Sequence, residues 1–132
     1  AKINWQASDA LTVEAFYGRL RATDGDSLDE LRRPRTTGFF AIAYRAENWQ
    51  HQLSAAYTGK SEDIFFPPVA PFQERVQMDS FTLVSVTSNV LISKKFEAFV
   101  AIENLLDTQF EEVFGYQRSG RTARLGLKLR IE

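Results

Sequence analysis

The feature that most constrains this chain is a period-2 alternation of apolar and polar residues that returns again and again between short and long connections. Its clearest instance lies at the end of the sequence. There Leu125, Leu127, Leu129 and Ile131 share one face of a strand, and Arg124, Gly126, Lys128 and Arg130 share the other. The first strand is expected over Ala1 to Ser8, with Ile3, Trp5 and Ala7 opposite Lys2, Asn4 and Gln6. A tight turn at Ser8-Asp9 leads to a second strand over Leu11 to Arg21, with Leu11, Val13, Ala15 and Tyr17 on one face. The polar stretch Ala22 to Leu31 reads as a loop, and the third strand follows over Arg33 to Ala46, setting Phe40, Ile42 and Tyr44 against Thr37, Ala41, Ala43 and Arg45. Glu47-Asn48-Trp49 turns into a fourth strand over Gln50 to Lys60. Ser61 to Glu74 holds Pro67, Pro68 and Pro71, which cannot sit in a central strand, and reads as a long loop. The fifth strand is placed over Arg75 to Ser93, where Thr82, Ser85, Thr87, Ser88 and Asn89 leave its register open. Lys94-Lys95 turns into a sixth strand carrying Ala98, Val100 and Ile102, and the loop Glu111 to Gly120 precedes the seventh.

Seven strands joined in this way fit two environments. A soluble barrel would turn the aliphatic faces inward around an apolar ligand and leave Lys2, Asn4, Gln52, Lys128 and Arg130 in water. A membrane barrel would turn the same faces into lipid and the polar faces into a wet lumen. Outer-membrane barrels sort short turns to the periplasmic side and long loops to the outside, as the alternating connections here do. Trp5, Tyr44, Trp49 and Phe96 lie close to the short turns, where an interfacial aromatic girdle would sit. Under that reading the first strand starts on the extracellular side, so the seven strands are expected to be part of a longer barrel with an even strand number. A formal net charge of −1 gives no field for nucleic acid, and the absence of Cys excludes a disulfide framework and a zinc–thiolate site. The longest apolar run, Phe39 to Tyr44, is far short of the ~20 residues of a membrane-spanning helix, and no signal peptide is visible. The best helical candidate, Ser27 to Arg33, is short and stops at Pro34.

The last third adds a specific pattern: Glu103-Asn104-Leu105-Leu106-Asp107, Phe110-Glu111-Glu112-Val113-Phe114-Gly115-Tyr116, Gly120-Arg121 and Leu125-Gly126-Leu127. It resembles the C-terminal signature of TonB-dependent outer-membrane receptors, most closely the vitamin B12 and siderophore type. Arg33-Pro34-Arg35, Tyr57-Thr58-Gly59 and Phe81-Thr82-Leu83-Val84 resemble the same family, so that the likeness runs from Lys2 onward. The resemblance implies an all-β, antiparallel transmembrane barrel of about 22 strands with a plugged lumen, of which these are the last seven. It implies import of a scarce large nutrient (ferric siderophore, haem or cobalamin), energised through TonB, which grips a segment near the receptor's N-terminus. The plug, that segment and the earlier strands are absent from this sequence, and no cofactor is implied. One departure stands out: Ile131, followed by Glu132, occupies the place where the family usually ends in an aromatic residue.

Little in the chain suggests catalysis, and no enzyme is expected. The sole histidine, His51, lies beside a short turn and reads as a solvated turn residue, which leaves no Ser/His/Asp set. No metal site is expected. Asp107, Glu111 and Glu112 do not form paired acids, because neighbours on a strand point to opposite faces. Five aromatic residues are candidates for ligand contact from the loops: Phe65, Phe66 and Phe72 in the proline-rich loop, and Phe114 and Tyr116 in the last one. Exposed aromatics on a stiffened loop call for a partner, which leaves a nutrient, a protein ligand or one another. Arg32, Arg33, Arg35, Arg118 and Arg121 cluster at the long-loop end, where they either pair with lipopolysaccharide phosphates or form a solvated rim. Asn104, Asp107, Gly115, Tyr116, Gly120, Arg121 and Gly126 carry the family signature and are expected to be structural.

Overall fold

A computed structural model describes residues 1–23, 25 and 28–129, and every regular element in it is a strand. The principal sheet holds β1 (Lys2–Gln6), β2 (Leu11–Arg19), β3 (Thr36–Arg45), β4 (Trp49–Thr58), β7 (Phe81–Leu91), β8 (Phe96–Glu103) and β11 (Thr122–Leu129). They lie in chain order, each antiparallel to the last, so the seven expected strands form one meander. Two small hairpins stand apart from it: β5 (Ser61–Phe65) with β6 (Glu74–Met78), and β9 (Glu111–Val113) with β10 (Tyr116–Gln117).

Three expected boundaries differ, two of them because of the β5–β6 hairpin. Ser61 to Glu74 is not a plain loop, because the prolines are confined to the hairpin tip and the residues on either side pair with each other. The fifth strand of the meander begins at Phe81; Arg75 to Met78 belong to the hairpin, and Asp79-Ser80 breaks the two apart. Arg33-Pro34-Arg35 precedes β3 and does not open it: the strand starts at Thr36, and Pro34 has no N–H to give a ladder. The expectations for Arg130, Ile131 and Glu132, and for Ser27 as a helix start, fall outside the described residues.

Register divides the sheet into two unlike faces. One row across it runs Trp5, Val13, Ile42, Leu53, Val86, Ile102 and Ala123, and the parallel rows add Ile3, Phe40, Val84, Val100, Leu125 and Leu127. The opposite face holds Lys2, Glu14, Gln52, Thr87, Asn89, Glu97, Glu103, Arg124 and Lys128. Charge pairs bridge neighbouring strands there: Lys2 with Glu14 at 3.0 Å, Lys128 with Glu97 at 3.2 Å, and Arg124 with Glu103. Phe99 on this face lies flat over Gly126, where an added Cβ would stand 2.6 Å from the ring, and Lys128 Nζ sits 5.3 Å from the ring centroid.

The apolar face covers no core. Among the described residues the only buried apolar side chains are Ala41 and Met78, while Leu125 is 85% exposed and Leu127 70%. The chain exposes 9887 Å², against about 7,000 Å² for a compact globular chain of its mass. Leucines left in water at this density would be costly, so the aliphatic face requires an apolar surround. The soluble alternative needs the sheet to close around this face, and among the described residues β1 and β11 stand unpaired with each other at its two edges.

Candidate functional site

The sheet's two ends differ as sharply as its faces. At one end the turns are minimal. Ser8 Oγ accepts the N–H of Leu11 at 3.1 Å, Ser93 Oγ accepts that of Phe96 at 3.2 Å, and Ala46 N donates to Trp49 O at 2.8 Å. Trp5, Tyr44, Trp49 and Phe96 project from the apolar face at this end. His51 is not the solvated turn residue expected. It sits inside β4 on that same face, stacked on Tyr44 (ring centroids 6.3 Å), tilted on Trp49 (5.4 Å) and bonded through Nδ1 to Ser88 Oγ at 2.9 Å. At the other end Tyr17 and Tyr57 stand on the apolar face, giving it an aromatic border on both sides.

Beyond the second border lie three long loops: 20–35, 59–80 with the β5–β6 hairpin, and 104–121 with β9–β10. They pack on one another through Asp63, which is only 1% exposed. Asp63 Oδ1 accepts from Arg32 Nε (2.8 Å) in the first loop and from the N–H of Ile64 (2.9 Å) beside it. Its Oδ2 accepts from the N–H of Phe114 (2.9 Å) in the third. Burial works to raise the pKa of this carboxyl, but the Phe114 and Ile64 N–H groups and the Arg32 guanidinium outweigh it and hold it below the ordinary carboxylate value. Other ties follow the same route: Arg32 N to Glu62 O at 2.7 Å, Arg75 Nη2 to Asp29 O at 2.7 Å, and the Phe65 ring tilted on Phe114 at 5.2 Å.

The third loop is built from the family-signature residues. Asn104 is buried, takes φ 52°, and clasps Thr108 with both side-chain atoms at 2.9 Å. Asp107 (φ 56°) accepts the N–H of Arg121 through Oδ1 at 2.7 Å. Gly120 makes that approach possible, because a Cβ there would stand 2.5 Å from the same oxygen. Gly115, with φ 78°, occupies the third position of the turn 113–116, where a type II turn requires a positive φ.

Of the aromatic candidates, Phe65 and Phe114 meet each other, while Phe66, Phe72 and Tyr116 remain about 70% exposed. A cleft of about 340 Å³ opens between the second and third loops, lined by Gln77, Met78, Phe81, Phe110, Glu111 and Phe114 among others. Phe114 is the one aromatic candidate in its wall. Phe81 and Phe110, paired at 4.5 Å, were not among the candidates, because only the fold brings them together. The arginine candidates are mostly engaged within the molecule. Arg32 bonds Asp63, Arg33 bonds Glu30 at 3.1 Å, Arg35 bonds Asp29 at 2.6 Å and Arg118 bonds Glu112 at 2.7 Å. No group of His, Asp and Glu among the described residues could hold a metal ion.

No family model matches the sequence. It is 27% identical over 106 residues, 79% of this chain and 16% of the other, to the vitamin B12 transporter BtuB of Photobacterium profundum. Its fold is similar to that of the ferripyoverdine receptor of the Pseudomonas aeruginosa outer membrane (TM-score 0.82, 16% identity, 97% of this chain and 18% of that one). It is likewise similar to the ferric enterobactin receptor PfeA of P. aeruginosa (0.74, 14%, 97% and 21%) and to the copper transporter OprC (0.74, 14%, 96% and 22%). The chain thus spans about a fifth or less of the proteins it matches. A two-faced antiparallel meander with its long loops at one end, a sequence match to a vitamin B12 transporter and fold matches to outer-membrane receptors together show the resemblance of this chain to part of a TonB-dependent receptor barrel.

Proposed function

We propose that this chain forms the closing wall and three outer loops of a receptor that imports a scarce large nutrient, a ferric siderophore, haem or cobalamin, across the outer membrane. The observation that carries the reading is the polarity of the sheet: an uncovered aliphatic face bordered by aromatics at both ends, with all three long loops gathered beyond one border. In this reading the aliphatic face meets lipid and the polar face lines the lumen. The loop end faces the medium, where Phe66, Phe72 and Tyr116 and the cleft beside Phe114 offer apolar and aromatic contact to an incoming ligand. A plug and the earlier strands of a barrel of about 22 strands complete the pore, and TonB, reaching the plug side from the inner membrane, supplies the energy. The chain contributes wall and capture surface and no catalysis. Arg33, Arg35 and Arg118 already hold carboxylates, so lipopolysaccharide phosphates at this level would meet balanced ion pairs and not bare cations.

The test is titration of the full-length protein in detergent with ferric siderophores, haemin and cyanocobalamin, followed by tryptophan emission. Saturable binding by one class, weakened by Phe114→Ala, is the expected result. Absence of binding by all of them, in protein whose barrel is folded, would remove the nutrient-import reading.

A further inference from the structure

We infer that Asp63 is a positioning residue that fastens the three outer loops into one unit, so that they loosen together and not one by one. A carboxylate that is 1% exposed is retained only where its oxygens are fully used, and here each oxygen is used to hold a different loop. Oδ1 holds the first loop through Arg32 Nε, and Oδ2 holds the third through the Phe114 N–H. The Ile64 N–H, donated to Oδ1 from the next residue, fixes the rotamer that allows both at once. The grips are themselves constrained. Arg32 is locked in its left-handed conformation and donates its own N–H to Glu62 O, and Phe114 is pressed on Phe65. Releasing Asp63 therefore removes the protein acceptor of a charged guanidinium and of a backbone N–H, in two loops more than 30 residues away on either side.

Phe114 gives the arrangement a use. It is at once the residue held by Asp63, the ring on which Phe65 is tilted and part of the cleft wall. The first loop thus acts on the cleft without touching it. That use rests on the capture reading proposed above, whereas the coupling itself is measured without any ligand.

Hydrogen exchange of the full-length protein in detergent, read by peptide mass spectrometry, tests the coupling. Asp63→Ala should raise exchange at least tenfold in both 28–35 and 111–117 while leaving the interior of β3 and β4 unchanged. Glu112→Gln, which removes an ion pair confined to the third loop, should raise exchange there alone. Arg32→Gln is the milder second variant, and it should loosen the first loop and also raise exchange at the Phe114 amide. An effect of Asp63→Ala confined to 61–78, a uniform rise over the whole sheet, or an unmoved Phe114 amide in Arg32→Gln would each overturn the inference. Lost nutrient binding with loops still coupled would count against the capture reading and leave the coupling standing.

Discussion

Replacing Leu53 by Arg should destabilise the barrel by an amount that depends on depth, which a soluble core would not show. Leu53 lies midway along β4 on the aliphatic face, flanked across the sheet by Ile42 and Val86 and 44% exposed. Trp49 and Tyr57 border it on the same face, eight residues apart. At about 3.4 Å per residue they stand about 27 Å apart along the strand, or about 20 Å along the membrane normal at a tilt of about 40°. This approaches the ~25 Å apolar band of outer-membrane barrels and puts Leu53 near the bilayer midplane. An Arg there costs about 2–4 kcal/mol, a roughly 30- to 900-fold loss in the folded-to-unfolded ratio, and near an interface only about 0–1 kcal/mol. The assay is guanidinium unfolding of the full-length protein in lipid vesicles, followed by tryptophan emission, for Leu53→Arg, Tyr57→Arg and Gln52→Arg. The expected order of cost is Leu53 well above Tyr57, with Gln52, exposed on the polar face, close to zero. Equal costs at 53 and 57 would refute the membrane placement, and a larger cost at Gln52 would mean that the faces are reversed.

Four further outcomes follow from the same geometry. The lowered pKa of Asp63 means that the stabilisation it gives the loops is present above the unfolded carboxylate value of about 3.9 and is lost as pH falls through its folded value. Proteolytic protection of 111–117 should therefore hold at pH 5, and loss of protection between pH 7 and 5 would contradict it. Gly59→Ala should cost about 1–3 kcal/mol in an unfolding titration, because its Cβ would press to 2.8 Å from the backbone oxygen of Thr36. Gly120→Ala should break the Asp107–Arg121 bond and raise exchange at the Arg121 amide with little effect on β8 or β11. Glu14→Gln should change stability by less than about 1 kcal/mol, since its pairing with Lys2 is exposed.

The meander was legible in the sequence because its signal is local. Alternation alone assigns Leu53 and Gln52 to opposite faces, and the short turns announce themselves in Ser8-Asp9 and Lys94-Lys95. The loops were legible only as lengths. In the stretch Ser61 to Phe66 nothing distinguishes Asp63 from Glu62, because the two differ in their partners: Arg32 and Phe114, in loops distant in sequence, for one, and Arg75, across the same hairpin, for the other. His51 failed for a related reason. Two residues from the start of β4, its surroundings were read from the turn beside it, whereas β-register sets it between Tyr44 and Ser88 on the apolar face. The fifth strand's start failed because Arg75, Val76, Gln77 and Met78 alternate as a wall strand would, yet their partners are Ser61 to Ile64.

This division has a physical basis that bears on how such a segment works. Wall residues are fixed by a bilayer that treats every strand alike, so a two-letter pattern is enough to place them. Loop residues have no such uniform solvent and must fix one another through individual bonds, at a cost in chain entropy that grows with loop length. Nearly all the bonds that do so here involve a charge or a left-handed residue: Asp63 with Arg32, Arg75 with Asp29, Asn104 with Thr108 and Asp107 with Arg121 N. These contacts can be altered without disturbing the alternation that builds the wall. The loop end can therefore diverge in sequence while the sheet remains the same, which accords with fold matches at TM-scores of 0.74 to 0.82 between chains only 14–16% identical.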